Sequence, residues 1–228
     1  MTEQEWLGDL PLYRLNQLWE TSPQSRIQFF RRKLRLVTCA LWKLGSVRRD
    51  NRDTRIQEAI DSAENGRVPE WLFRHASEHW QSFLVEVERR RDDPQSENWQ
   101  STQEGLQEIR EGYFCYFVQH WGNLTDVFGF WYDWLHALSE GPLLAAGFCR
   151  DVFGNPFRQV ELQPRWRTSD TIALAQAIYD DRDFERLPII GDALMDAGCE
   201  DEQIIGHCRS DGPHVRGCWV VDLVLNKQ

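Results

Sequence analysis

No stretch of this chain is apolar for long enough to cross a membrane as a helix. The longest uninterrupted run, Pro142 to Cys149, is eight residues, against the roughly 20 that a helical span needs. The opening Met1-Thr2-Glu3-Gln4-Glu5-Trp6 has neither a basic segment nor a hydrophobic one. No secretory signal is read there, and a cytoplasmic protein is expected. A glycine-rich phosphate loop, a GxGxxG after a strand and a GxSxG elbow are all missing, which sets nucleotide-dependent and serine-hydrolase chemistry aside. There is no CxxC pair, no tandem repeat and no low-complexity tract.

What is present describes a globular protein. Of 228 residues, 41% are hydrophobic and 27% charged, a balance unlike that of disordered chains. A fold of this size buries roughly 70 to 75% of its unfolded surface, so it needs no disulfide staples. Cys39, Cys115 and Cys149 sit among apolar neighbours in helical patterns, where a cysteine behaves as a small core residue. Eleven tryptophans add large apolar side chains.

The net charge of -10 is unevenly spread. Between Arg26 and Arg55 ten Lys/Arg face two acids, a net of +8, whereas between Asp170 and Glu202 ten acids face two arginines, a net of -8. The two stretches are complementary and could dock on each other, on a second copy, or on a partner. Arg31, Arg32 and Arg35 on the basic side, and Asp180, Asp181 and Asp183 on the acidic side, are the candidate interaction residues. Nucleic acid is disfavoured as a partner, because a binder of phosphates is normally basic overall.

Periodicity predicts helices throughout. Ser22 can cap a helix with Pro23 at its first position and Ile27, Phe30, Leu34, Val37, Leu41 and Leu44 along one face. A second is expected from Thr54 to Asn65, ending at Gly66, and a third from Pro69 to the Arg89-Arg90-Arg91 run. Residues 92 to 98 read as a loop. Helices are expected again over 102 to 123, over 126 to 139, and briefly up to Phe153. Gly154-Asn155-Pro156-Phe157 and the prolines near Trp166 mark an extended connector. Beyond it, Ser169 or Asp170 caps a helix through Tyr179, Pro188 lies in the first turn of another ending before Gly198, and Asp201 starts a short one through Cys208. Val215 to Leu225 is rich in strand formers but has no partner strand nearby, and is read as helix. The expected fold is therefore all-α, a multi-helix globular bundle with a smaller C-terminal helical module. Its divisions are an N-terminal region over 1 to 153, a connector over 154 to 168 and the C-terminal module over 169 to 228.

Three constellations could carry chemistry. Residues 199 to 219 hold three of the six cysteines and two of the six histidines. Four of these, Cys199, His207, His214 and Cys218, are a candidate tetrahedral zinc set, His214 and Cys218 being one helical turn apart. Adjacent His207 and Cys208 point different ways on a helix, so both cannot easily ligate. Packing is the favoured reading: buried cysteines with hydrogen-bonded histidines between helices, and no bound cofactor. His75-Ala76-Ser77-Glu78-His79 matches the HxxEH pattern of zinc hydrolases, although a further ligand is not evident and a solvated helix face is expected. The aromatic belt Trp121, Phe128, Phe130, Trp131, Tyr132 and Trp134, with Asp126, Asp133 and His136 interspersed, reads as core and, where exposed, as a protein-binding surface.

Several segments together resemble a known group. Met1-Thr2-Glu3-x-Glu5-Trp6-Leu7, Arg32-Lys33-Leu34-Arg35-Leu36 with Cys39, Asp151-Val152-Phe153-Gly154-Asn155-Pro156-Phe157-Arg158, and Pro213-His214-Val215-Arg216-Gly217-Cys218-Trp219-Val220-Val221-Asp222 are similar to a large paralogous family of uncharacterised planctomycete proteins, whose members often accompany repeat-companion domains. The likeness covers both ends, and residues 50 to 145 loosely. The chain departs from the pattern after Cys39, where Ala40-Leu41-Trp42 replaces expected cysteines. The resemblance implies no activity and transfers no catalytic residue. The expectation is a non-enzymatic interaction or scaffold protein that binds a protein partner or itself, with a zinc protein, structural or hydrolytic, as the alternative.

Overall fold

Thr2 opens the first helix by a reciprocal cap. Its hydroxyl accepts from the Glu5 amide at 3.2 Å while the Glu5 carboxylate accepts from the Thr2 amide at 2.7 Å, so two otherwise orphan amides are satisfied. The helix is α1 (Glu3–Leu7). The computed structural model describes residues 1–8, 32–40, 60–66 and 141–227, with single positions at 85 and 89. The expected helices over 102 to 123 and 126 to 139, the HxxEH segment from His75 to His79, the aromatic belt and Arg31 lie outside the described residues.

Residues 32–40 are helical and are labelled α2; they fall inside the helix expected from its Ser-Pro start. Then come α3 (Gly141–Phe153), α4 (Ser169–Asp181), α5 (Leu187–Asp196), α6 (Glu202–Cys208) and α7 (Trp219–Leu225), with short 3-10 turns at Pro164–Trp166 and Phe184–Arg186. No strand occurs among the described residues, and the protein is all-α. No described helix is long and apolar enough to cross a membrane.

Local chemistry accounts for the helix ends. Thr168, one residue before the expected cap, accepts from the Thr171 amide and starts α4. Asp201 accepts from the amides of Gln203 and Ile204 to start α6, each such cap contributing about 1 kcal/mol. The end of α5 is a left-handed turn at Gly198, whose amide donates to the Met195 carbonyl, while the Cys199 amide donates to that of Leu194. This paired closure places an apolar side chain after the glycine against the preceding turn. Cys199 fills that position and is buried.

The chain divides into two compact units. One comprises Met1–Pro11, Pro23–Arg49 and Leu143–Gln228, the other Leu12–Ser22 and Asp50–Pro142. In the second, residues 60–64 are helical with Ile60 and Ala63 buried, and Gly66 closes the turn at positive φ. In the first, α4 packs on α5 and α7, and α5 packs on α6. Ile178, Leu187, Ile190, Leu194, Ile204 and Val220 form part of their common core and are fully enclosed. Each such side chain contributes roughly 1.5 to 3 kcal/mol by leaving water.

The N-terminal segments belong to this same unit because specific polar contacts hold them there. Arg150 on α3 donates to the Trp6 carbonyl at 2.8 Å and to that of Gly8. In the connector, Asn155 donates to the Glu3 carboxylate at 2.8 Å, which Arg158 also meets. Arg32 and Lys33 on α2 both reach Asp222 on α7, at 2.5 and 2.7 Å. Complementary charges therefore meet within the chain at Asp222. Of the candidate interaction residues, Arg32 pairs with Asp222 and Arg35 is half-buried on the same helix. Asp180 and Asp181 are exposed and Asp183 partly so.

Candidate metal centre

Two residues of α3 one turn apart, Gly147 and Asp151, make the platform. The loop after α6 lies so close to Gly147 that a Cβ there would stand 2.8 Å from the Pro213 ring. That approach sets His214 and Val215 over Asp151, whose Oδ2 accepts from the Val215 amide at 2.8 Å. Gly147→Ala is therefore expected to push the loop off α3 and destabilise the protein by about 1 to 3 kcal/mol, measurable by urea unfolding.

Three further ligand groups converge on Asp151, making four. His214 Nδ1 is 2.7 Å from Asp151 Oδ1, His207 Nε2 is 3.1 Å from the same oxygen, and His207 Nε2 is 3.2 Å from Cys218 Sγ. All four ligand atoms lie within 4.8 Å of one another. A tetrahedron with zinc–ligand bonds of about 2.0 to 2.3 Å has edges of roughly 3.3 to 3.8 Å, so small side-chain adjustments would seat an ion. The far nitrogen of His214 faces the Ser210 carbonyl at 3.1 Å, the outer partner that orients a ligating imidazole. The His207 ring is braced by His214 edge-on at 4.9 Å and by Trp219 at 5.2 Å. Trp219 in turn lies over Gly154, where a Cβ would meet the indole at 3.1 Å.

The electrostatics fit a buried acid surrounded by imidazoles. Asp151 is 2% exposed. Burial alone would raise its pKa, but His207 and His214 outweigh that and hold it below the ordinary value. For His214 burial pulls downward and the Asp151 carboxylate more than compensates, so its pKa is raised. Burial, and then the Asp151 charge, push the Cys218 thiol well above its usual range. For the ion-free protein the signs oppose. The Asp151 contribution is lost as pH falls into the carboxylate range, and the His214 contribution is lost as pH rises past its elevated pKa. Both are present between about pH 4 and pH 6.5. Stability of the ion-free protein, read by denaturant midpoint, should therefore peak in that window.

Two catalytic alternatives fail on geometry. A thiol nucleophile needs a base that faces it with one nitrogen and an acid with the other. His207 turns the same Nε2 to both Cys218 and Asp151, and Cys218 is 0% exposed. Ser210, His214 and Asp151 are aligned, but the Ser210 hydroxyl donates to the His207 carbonyl at 2.8 Å and lies 3.3 Å from His214 Nε2. It is a turn contact and leaves the hydroxyl unactivated.

Three of the four candidate zinc ligands, His207, His214 and Cys218, are thus brought together, and Asp151 joins them. Cys199 is not among the converging groups, because it serves as the apolar plug after α5. Cys208 points into the core, its Cβ side facing Gly191, and burial drives its thiol up to about 12. Asp151 lies more than fifty positions before His207, His214 and Cys218 and is not legible as a ligand from their spacing. The available signal was an acid inside an apolar helix next to Cys149 and Val152. Compared with known proteins, the chain matches no family model, no curated protein and no solved structure.

Proposed function

We propose that the C-terminal part of this protein is a metal-binding structural module, in which Asp151, His207, His214 and Cys218 hold one divalent ion, zinc by preference. The observation that carries the reading is the convergence of four donors of suitable type from three separated segments within 4.8 Å. One thiolate, two imidazoles and one carboxylate are a borderline-soft set suited to zinc. Asp151 and Cys218 as anions would neutralise the ion, so a loaded centre adds no net charge to the interior. Four protein ligands, with Asp151 and Cys218 sealed from solvent, favour a closed structural site over a catalytic one that keeps a position open. The role is to staple α3, α6 and the start of α7, and the protein is read as a non-enzymatic scaffold.

Metal analysis of purified protein tests this. The expected result is about one zinc per chain, lost on Cys218→Ser and retained on Cys199→Ser. Cobalt substitution should give the visible absorption of a four-coordinate thiolate site. Protein that neither contains nor takes up zinc would overturn the reading. Asp180 and Asp181, exposed on the far end of α4, support a second role in binding a basic partner, and a salt-sensitive pull-down lost on Asp180→Asn with Asp181→Asn would test it.

A further inference from the structure

We propose that ion binding at this centre controls the docking of the N-terminal segments: the loaded C-terminal part is their receptor, and loss of the ion releases α1 and the basic helix α2. The inference rests on the metal reading above. Its own support is that each N-terminal segment is held by residues next to a ligand in the chain.

Ligand Asp151 follows Arg150, the residue that grips the carbonyls of Trp6 and Gly8. Four residues on, Asn155 holds Glu3. Ligand Cys218 follows Gly217, whose carbonyl accepts from Lys33 Nζ at 2.9 Å. Gly217 has φ +101, and a Cβ there would stand 2.6 Å from the Leu36 side chain, so α2 rests directly on the turn that presents the ligand. One helical turn past Cys218, Asp222 takes both Arg32 and Lys33, and its amide donates to the Cys218 carbonyl at 2.9 Å. The thiol of Cys218 lies at the start of α7, close to the Val220 and Val221 amides and 3.2 Å from His207 Nε2, so an ion held there would tie the first turn of α7 to α6 and α3. A helix of seven residues is too short to be stable alone and owes its position to what its first turn and its apolar face are fixed to. An ion joining Cys218 to Asp151 therefore fixes the start of α7 against α3, and with it the spacing of the two anchor points. Without the ion, the Cys218 end of that link to α3 rests on the hydrogen bonds that Asp151 makes with His207, His214 and the Val215 amide. Release would separate Arg32 and Lys33 from Asp222 and turn an internal ion pair into a basic face for an acidic partner.

Hydrogen–deuterium exchange on the full chain tests the coupling, zinc-loaded and after EDTA, with zinc content measured first. Amides in 1–8 and 32–40 should exchange about tenfold faster after EDTA, within the usual range for linked sites. Those of α4 and α5 should change by less than about twofold, because neither helix supplies a ligand and the apolar core they share with α7 stays buried in both states. Coupling is reciprocal, so Arg32→Gln, which touches no ligand, should weaken zinc binding about fivefold or more. Unchanged exchange in 1–8 and 32–40, equal loosening of α4 and α5, or unaltered zinc affinity in Arg32→Gln would each overturn the coupling. If zinc is bound and these results follow, the coupling alone falls. If no zinc binds, the metal reading falls and takes the coupling with it.

Discussion

Replacing Asp222 with alanine should lower the unfolding free energy by about 3 to 5 kcal/mol, the cost of leaving a buried charge without its partner. Lys33 and Asp222 are each 1% exposed, and the lysine ammonium has Asp222 Oδ2 at 2.7 Å and the Gly217 carbonyl at 2.9 Å. Burial lowers the Lys33 pKa, with Asp222 opposing it, so removal of the carboxylate favours a neutral amine in the interior. A contrast sharpens the test. Lys33→Met removes the buried cation but leaves Asp222 bound to Arg32, which contributes bonds at 2.5 and 3.1 Å, and should cost less than Asp222→Ala. Urea unfolding of the two variants checks both the size and the order. A loss below about 1 kcal/mol for Asp222→Ala, the level of a surface pair, would mean that water reaches these groups.

Chelation should have the second large effect. A ligand at about a thousand times its dissociation constant stabilises by about 4 kcal/mol, which in a protein of this size corresponds to a melting shift of about 8 to 16 °C. EDTA should lower the melting temperature of the wild type by that amount and leave Cys218→Ser unmoved. Under the packing alternative the outcome differs: EDTA changes nothing, and Cys218→Ala costs only the contacts of one small side chain. Because the ligands must be deprotonated to bind, the zinc-dependent part of the shift should shrink as pH falls below neutrality. Zinc binding thus favours higher pH, whereas the ion-free Asp151–His214 pair is strongest in weak acid. A melting temperature that rises with acidity in the presence of zinc would argue against metal at this site.

The amino-acid pattern led directly to the elements around the centre. The Pro188 start and Gly198 stop bound α5, Asp201 caps α6, and the segment around Trp219-Val220-Val221 is helical despite its strand formers, because no strand was within reach. The short α1 has too few residues to show a period, although Thr2 and Glu5 spell a capping box. The attachment of the N-terminal segments to the C-terminal helices is not legible in the sequence, since it depends on Arg150, Asn155 and Asp222 reaching back to residues more than a hundred positions earlier.

By itself, then, the sequence determined an all-helical chain, the burial of Cys39 and Cys149 and the soft donors near its C-terminal end, because caps, periodicity and side-chain type act over a few residues. Tertiary structure alone decided which donors meet. Cys199 and Cys218 look alike in a string of letters, yet one plugs the end of α5 while the other turns toward His207. Asp151 joins from a helix more than fifty positions away because Gly147 lets Pro213 come down on α3. Ligand geometry is a matter of angstroms between segments, and close packing of backbone on backbone is what sets it.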